Sequence, residues 1–454
     1  MNICFIANYS KTFFFEKIAL NLQNNFGTEV FWIVTNLKLY NHLNSNFKKS
    51  NILYLSKEKY KNIENSPIGE FKLNDIAYND RAIRYDLMNG INFLKNIQID
   101  IYNFIDLNKI RLIFGEVTWA HELVIHRLVK SRKELKCKYL NPHLIRIPDN
   151  RFAFFKDELQ SKILGIKPQL ELTEYKDSYF DVIKPDYFIL ANAKIQSSKS
   201  FSFIIMRIKR YITSENLDSN DITLLSKKSF HRFFLPTKSV VNTVLYRFMK
   251  KEKIESIKDK PFVLLTLHKQ PEASIDVVGR YYENQYINII NVWKQLPNNW
   301  ILVVKEHPNA IGDRSYFFYK KLKSLRNLVL IDEKINTETL IKKSELVVTV
   351  SGTSAYEAAL TNKKALVMSD VFFGLSSIKK VTLEEFKYSN NIFDLTSDIP
   401  NSSINDEDIK RYIYTNSFAG IISDPSNEKC MSIRNIDNVS KAFYHVISNI
   451  EWKE

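Results

Sequence analysis

Apolar residues come in short runs, and each run gives way to a longer mixed segment. In the first half "NICFIAN" (2–8), "TEVFWIVT" (28–35), "NILYLS" (51–56) and "IRLIFGE" (110–116) read as strands. Between them "FFEKIALNLQNNF" and "DLMNGINFLKNI" place apolar residues three and four apart, the spacing of an amphipathic helix. The second half repeats the design with "PFVLLTLH" (261–268), "NWILVVKEHP" (299–308), "NLVLID" (327–332), "ELVVTVSGT" (345–353) and "KALVMSD" (364–370). Helical stretches such as "QYINIINVWKQL" (285–296) and "SYFFYKKLKSL" (315–325) separate those runs. Strands alternating with helices predict parallel sheets with crossover helices.

Two such series imply two α/β domains, each of the Rossmann-like kind, facing a central cleft. The boundaries expected are 1–196, a basic helical linker over 197–260, a second α/β domain over 261–400 and a helical segment over 401–454. Within the linker, "SFSFIIMRIKRYI" (200–212) and "SVVNTVLYRFMKKEKIESIKDK" (239–260) read as basic, aromatic helices, packed on the domains or touching anionic lipid. "NVSKAFYHVISNIEW" (438–452) reads as a closing helix.

Composition narrows the classes. The 454 residues are 45% hydrophobic and 25% charged, which suits a globular chain of two or three domains. With 65 Lys+Arg against 50 Asp+Glu the formal charge is +15, yet it is dispersed, and no nucleic-acid motif accompanies it. Neither GxGxxG nor GxxxxGK[ST] occurs among only 10 glycines. Three distant cysteines (Cys4, Cys137, Cys430) suit a reducing compartment. The start "MNICFIANYS" lacks a basic n-region, and no run approaches the ~18 apolar residues of a membrane span. The address expected is cytoplasmic, at most peripheral to the inner face of the cytoplasmic membrane.

Ligands of open parallel sheets bind beyond the carboxyl ends of the strands. Chemistry is therefore sought in "HKQPEAS" (268–274), "KEHPNAIGDR" (305–314), "DEKINTE" (332–338) and "SGTSAYE" (351–357). In the last, Gly352 permits a tight turn into a helix starting near Thr353 or Ser354. Its free amides, with the hydroxyls of Ser351, Thr353 and Ser354, make an anion site. Ser354-x-x-Glu357 also has the spacing of a capping box. His307 suits a phosphate donor or proton carrier, flanked by Lys305 and Arg314. His268, Gln270, Glu272 and Asp276 follow the preceding strand. In the first half Glu116 ends a strand and suits a general base. His121 and His126, five residues apart, sit about 140° around a helix, which does not suit a zincin site. The loop "NPHLIRIPDNRFAFFKDE" (141–158) is either packing or acceptor contact. No DxD stands at a strand end, so neither metal nor cofactor is expected.

"LHKQPEAS", "VVKEHPNAIGDR" and "VTVSGTSAYEAAL", in that order, resemble the bacterial capsule polysaccharide biosynthesis family, which includes enzymes transferring Kdo from CMP-Kdo. "RIPDNRFAFF" is similar to a segment of capsule-type relatives. The resemblance implies a GT-B glycosyltransferase whose second domain holds the nucleotide-sugar on Gln270, Lys305, His307, Ser351, Gly352, Thr353 and Glu357, to which the residue chemistry adds Arg314. The catalytic candidates are Glu116 and His268. Glu116, Asp149 and Asp276 stay open as the carboxylate nucleophile of a retaining course. Partners implied are a CMP-linked donor sugar and a glycan or glycolipid acceptor. Two alternatives share the layout: a nucleotide-sugar epimerase or glycerophosphate transferase, and a non-catalytic capsule assembly or export protein.

Overall fold

The structure is a computed structural model and describes residues 1–61, 68–166, 176–182, 218, 220–226, 229–257, 260–400, 406–422, 424 and 427–450. The chain divides into two compact units. One comprises Met1–Tyr179, Ser214–His231 and Tyr412–Glu454; the other comprises Phe180–Thr213 and Arg232–Arg411. The sequence 200–212, expected to be helical, lies outside the described residues.

The first unit is built on strands β1 (Asn2–Ile6), β2 (Glu29–Val34), β3 (Ile52–Tyr54), β4 (Ile110–Phe114), β5 (Lys138–Leu144) and β6 (Arg151–Phe155), joined late in the chain by β13 (Phe418–Ala419). Their order across the sheet is β13-β6-β5-β4-β1-β2-β3. Strands β3, β2, β1, β4 and β5 run parallel, while β6 and β13 add antiparallel edges. The runs that form β1, β2 and β4 are apolar almost throughout because both faces of this sheet are covered. Helices α1 (Lys11–Phe26), α2 (Leu87–Leu107) and α3 (Ala120–Ser131) supply crossovers.

The segment 141–158 is not a loop. The β5–β6 hairpin occupies it, and the Arg151 guanidinium donates to the Ser417 hydroxyl at 2.9 Å and to the Tyr414 carbonyl at 3.2 Å. The alternation in "RFAFF" was obscured because the intervening Ala and Arg also face packed neighbours, and all five residues are buried.

The second unit holds β7 (Phe262–Thr266), β8 (Ile301–Lys305), β9 (Leu328–Ile331), β10 (Leu346–Thr349), β11 (Lys364–Val367) and β12 (Ile378–Lys380). They form one parallel sheet in the order β12-β11-β10-β7-β8-β9. Helix α4 (His231–Phe248) enters this unit, followed by α5 (Gln285–Lys294), α6 (Tyr316–Lys323), α7 (Thr337–Lys343) and α8 (Thr353–Leu360). The helical pattern expected through residue 260 stops at Phe248. Beyond it the backbone finds better partners on the sheet edge: Glu252 N donates to Leu330 O and Asp332 N donates to Glu252 O, each at 3.0 Å. No helix among the described residues is long and apolar enough to cross a membrane.

The closing helix α9 (Ile433–Asn449) packs in the first unit, not the second. Phe443 is its anchor, with ring centroids 4.7 Å from Phe114 and 4.9 Å from Phe154, and further contacts to Phe5, Phe15 and Phe152. Truncating a fully buried aromatic side chain costs about 3–5 kcal/mol. Phe443→Ala is therefore expected to lower the unfolding free energy by that amount, seen as a lower urea midpoint in far-UV circular dichroism. An unchanged midpoint would contradict this packing.

Candidate active site

Each sheet has one point where the strand order reverses, and in open α/β sheets that is where ligands bind, outside the carboxyl ends of the strands. In the second unit it lies between β7 and β10. The loops leaving those strands are tied to one another. Ser351 N donates to His268 Nε2 at 3.3 Å, and Thr349 Oγ1 lies 3.1 Å from the same nitrogen. The Ser351 hydroxyl donates to Ser274 O at 2.7 Å. A ring nitrogen that accepts from a backbone amide carries no proton, so the neutral His268 imidazole holds its proton on Nδ1. Burial, with His307 and Arg314 close by, pushes its pKa down to about 3.

Gln285, at the start of α5, grips the backbone of His268 from both sides. Its Oε1 accepts from His268 N at 2.7 Å, and its Nε2 donates to His268 O at 3.2 Å. The same Nε2 lies 3.4 Å from Gln270 Oε1. Gln270 in turn donates to Asp276 Oδ1 at 3.0 Å, and Asp276 Oδ2 accepts from Glu272 N at 3.0 Å. Asp276, a candidate acid or base, is thus buried and engaged in shaping this loop.

From β8 comes the adjoining loop. Glu306 is fully buried and accepts from Arg314 Nη1 at 2.6 Å, from the Tyr319 hydroxyl at 2.6 Å and from His307 N at 2.7 Å. Arg314 Nη2 also donates to His268 O, joining the β7 and β8 loops. Burial alone would lower the Arg314 pKa, but the Glu306 carboxylate outweighs it and holds the group above its ordinary value. His307 Nδ1 accepts from Asn309 N at 3.1 Å, which puts the neutral ring's proton on Nε2. Its pKa is lowered by burial, against the pull of Glu272 and Glu306. Two neutral imidazoles therefore offer N–H donors here.

Helix α8 starts at Thr353 with Gly352 as its N-cap, and no side chain caps it. The capping box anticipated from Ser354 and Glu357 does not form. Ser354 Oγ instead lies 2.7 Å from Thr266 Oγ1, and Glu357 is half-buried in the middle of the helix. A Cβ on Gly352 would stand 2.6 Å from Thr349 Oγ1 and 3.4 Å from His268 Cε1, so this turn needs a residue without one.

The remaining expected site residues are placed differently. Lys305 is buried, and its ammonium donates to Glu333 O at 2.8 Å beyond β9. Glu116 belongs to the first unit. There the order reverses between β1 and β4, and Glu116 follows β4 while Asn8 and Lys11 follow β1. Lys11 Nζ meets Glu116 Oε2 at 2.5 Å. Glu122 Oε2 accepts from Thr118 N at 2.7 Å and Trp119 N at 2.9 Å, while Asn8 Nδ2 donates to its Oε1 at 3.3 Å. Burial and the nearby Glu116 push the Glu122 pKa up to about 8. His121 and His126 do not converge on a shared partner: His126 Nε2 lies 3.3 Å from Lys156 O, and burial takes His121 down to about 4. Among the described residues no three His, Cys, Asp or Glu side chains gather to hold a metal.

Residues 222–390 match the model of a family described as capsule polysaccharide biosynthesis protein. The matched stretch is a little over a third of the chain. It contains every strand of the second sheet and both loops joined at His268. Solved structures similar to the chain include a Thermosulfurimonas dismutans KpsC β-Kdo 2,7 transferase (11% identity, 94% of this chain and 95% of that chain, TM-score 0.36). A β-Kdo 2,4 transferase of the same KpsC is similar over 67% of this chain and 87% of that one, at 14% identity and TM-score 0.29. The Neisseria meningitidis UDP-GlcNAc 2-epimerase bound to UDP-GlcNAc is similar over 99% of this chain and 100% of that one, at 14% identity and TM-score 0.25. Likeness at this level says nothing of donor or acceptor. No curated protein matches the chain.

The buried neutral histidine of this region sets a pH dependence. His268 has a folded pKa near 3 against an ordinary 6.5, so the unfolded chain binds the extra proton between those values. The stability it contributes is complete above pH 6.5 and falls as pH drops toward 3, by about 1.4 kcal/mol per pH unit. Urea unfolding at pH 6.5 and 4.5 should show that His268→Gln loses less stability on acidification than the parent. Equal losses would contradict a neutral buried imidazole.

Proposed function

We propose that the protein is a nucleotide-sugar-dependent glycosyltransferase of capsule or lipopolysaccharide biosynthesis. Its donor is a CMP-activated Kdo or related 2-keto sugar acid, and its acceptor a glycan or glycolipid. The observation that carries this reading is the donor cluster at the β7/β10 reversal: the neutral imidazoles of His268 and His307 beside the uncapped start of α8. The capsule polysaccharide biosynthesis match over residues 222–390 supports it.

Breaking a glycosyl–phosphate bond leaves negative charge on the departing nucleotide. Fixed N–H donors stabilise that charge without reorganising. On this reading His307 Nε2–H, His268 Nδ1–H and the first-turn amides of Thr353 and Ser354 face the phosphate. Ser351, Thr353 and Gly352 shape the turn. Gln270 and Glu357 line the donor, while Arg314 and Lys305 act chiefly by fixing the loops that carry the imidazoles. The acceptor hydroxyl gives its proton to Glu116 of the first unit. The reaction runs on the cytoplasmic side, with peripheral contact to the membrane where a glycolipid acceptor is held. Three buried free thiols are compatible with that compartment.

Calorimetric titration with CMP, UDP and GDP, repeated on His307→Ala, tests this. CMP-selective binding that weakens at least tenfold in the variant is expected. Selectivity for UDP or GDP would discard the CMP-sugar donor, and binding of no nucleotide would discard the donor site.

A further inference from the structure

The first unit carries a second polar cluster at its own strand-order reversal. Lys11 opens α1 directly after β1, and Glu116 follows β4, so the two strands flanking the reversal each supply one member of an ion pair. The Glu116 carboxylate is buried, whereas Lys11 is about one-third exposed. Besides Lys11 Nζ at 2.5 Å, Glu116 Oε2 has Asn8 Nδ2 and the Thr118 hydroxyl at 3.5 Å each. The Tyr139 hydroxyl from β5 donates to the Glu116 carbonyl at 3.1 Å, so the backbone is held as well.

We propose that Lys11 is the positioning residue that keeps the Glu116 carboxylate ionised and fixed at the strand end, ready to take a proton from a hydroxyl. This rests on the reading of Glu116 as the acceptor-side base. An isolated carboxylate in a buried site tends to take up a proton, and a cation in contact opposes that.

The titratable groups that interact with Glu116 include Lys11 from α1, Glu122 from α3, and His143 and Tyr139 from β5. Burial leaves His143 neutral, with a pKa near 4. Glu122, raised to about 8, holds its proton at neutral pH. Burial and the neighbouring Glu116 both favour the protonated form of Glu122, while the Lys11 ammonium contacts Glu116 Oε2 and not Glu122. Asn8 stands between them, reaching Glu122 Oε1 at 3.3 Å, and its Oδ1 accepts from Trp119 Nε1 at 3.3 Å. A base that is ionised while its neighbour is neutral accepts the acceptor proton without adding a second buried charge.

The test is a carbon-detected NMR titration of the full chain labelled with [5-13C]glutamate, Glu116 being assigned from the signal lost in Glu116→Gln. Lys11→Met should raise the Glu116 midpoint by more than one pH unit, on the order of tenfold in proton affinity, and Lys11→Arg should restore most of the shift. A midpoint unmoved in Lys11→Met, with a far-UV spectrum like the parent, would overturn the inference. If Lys11→Met does not fold, Lys11→Gln is titrated in its place: a midpoint raised by more than one pH unit supports the charge role, and an unmoved midpoint overturns it. The base reading fails separately, if Glu116→Gln retains sugar transfer, whatever the titration shows.

Discussion

Arg314 and Glu306 form the interaction on which the second unit's site depends. Glu306 has no exposure to solvent, yet it carries a carboxylate directly after strand β8. It persists because three donors surround it: a guanidinium, a phenol and a backbone amide. Removing one partner of such a buried pair typically costs about 3–5 kcal/mol, since the other charge is left stranded. What the pair secures is geometry. The second arm of Arg314 holds the His268 carbonyl, so a side chain from the β8 loop fixes the β7 loop. His268 then fixes Ser351, which begins the turn into α8. Three strand ends are thus coupled through one guanidinium and one imidazole.

The two units obey the same constraint. Each is a mostly parallel sheet whose order reverses once, and each gathers its polar side chains at that reversal. Their electrostatics differ. The second unit's cluster combines neutral imidazoles with backbone donors, the composition suited to an arriving anion. The first unit's cluster combines carboxyl groups with one lysine contact, suited to holding and accepting a proton.

Much of the fold was legible because a strand covered on both faces must be apolar along its length. Nine strand runs were readable on that ground, and their ends pointed to His268, His307 and Gly352. The β5–β6 hairpin was hidden because all five residues of "RFAFF" are buried, so no alternation of apolar and polar positions marks the strand. The helix expected through residue 260 failed because an edge strand offered its backbone better partners than another helical turn. Lys305 looked like a site cation, yet its long side chain reaches the carbonyl of Glu333. Gln285 and Lys11 were opaque for one reason: each acts across 17 or more residues of sequence, on a partner that only the fold brings close, as does the Asn8 contact of Glu122. Lys11 had one available signal, its position directly after a strand end, the rule that singled out the others.

The central claim is that the β7/β10 reversal is the seat of a nucleotide phosphate. A crystal structure of the protein soaked with CMP tests it most directly. The account predicts the phosphate within hydrogen-bonding distance of His307 Nε2 and the amides of Thr353 and Ser354. A nucleotide bound elsewhere, with those donors facing only water, would contradict it.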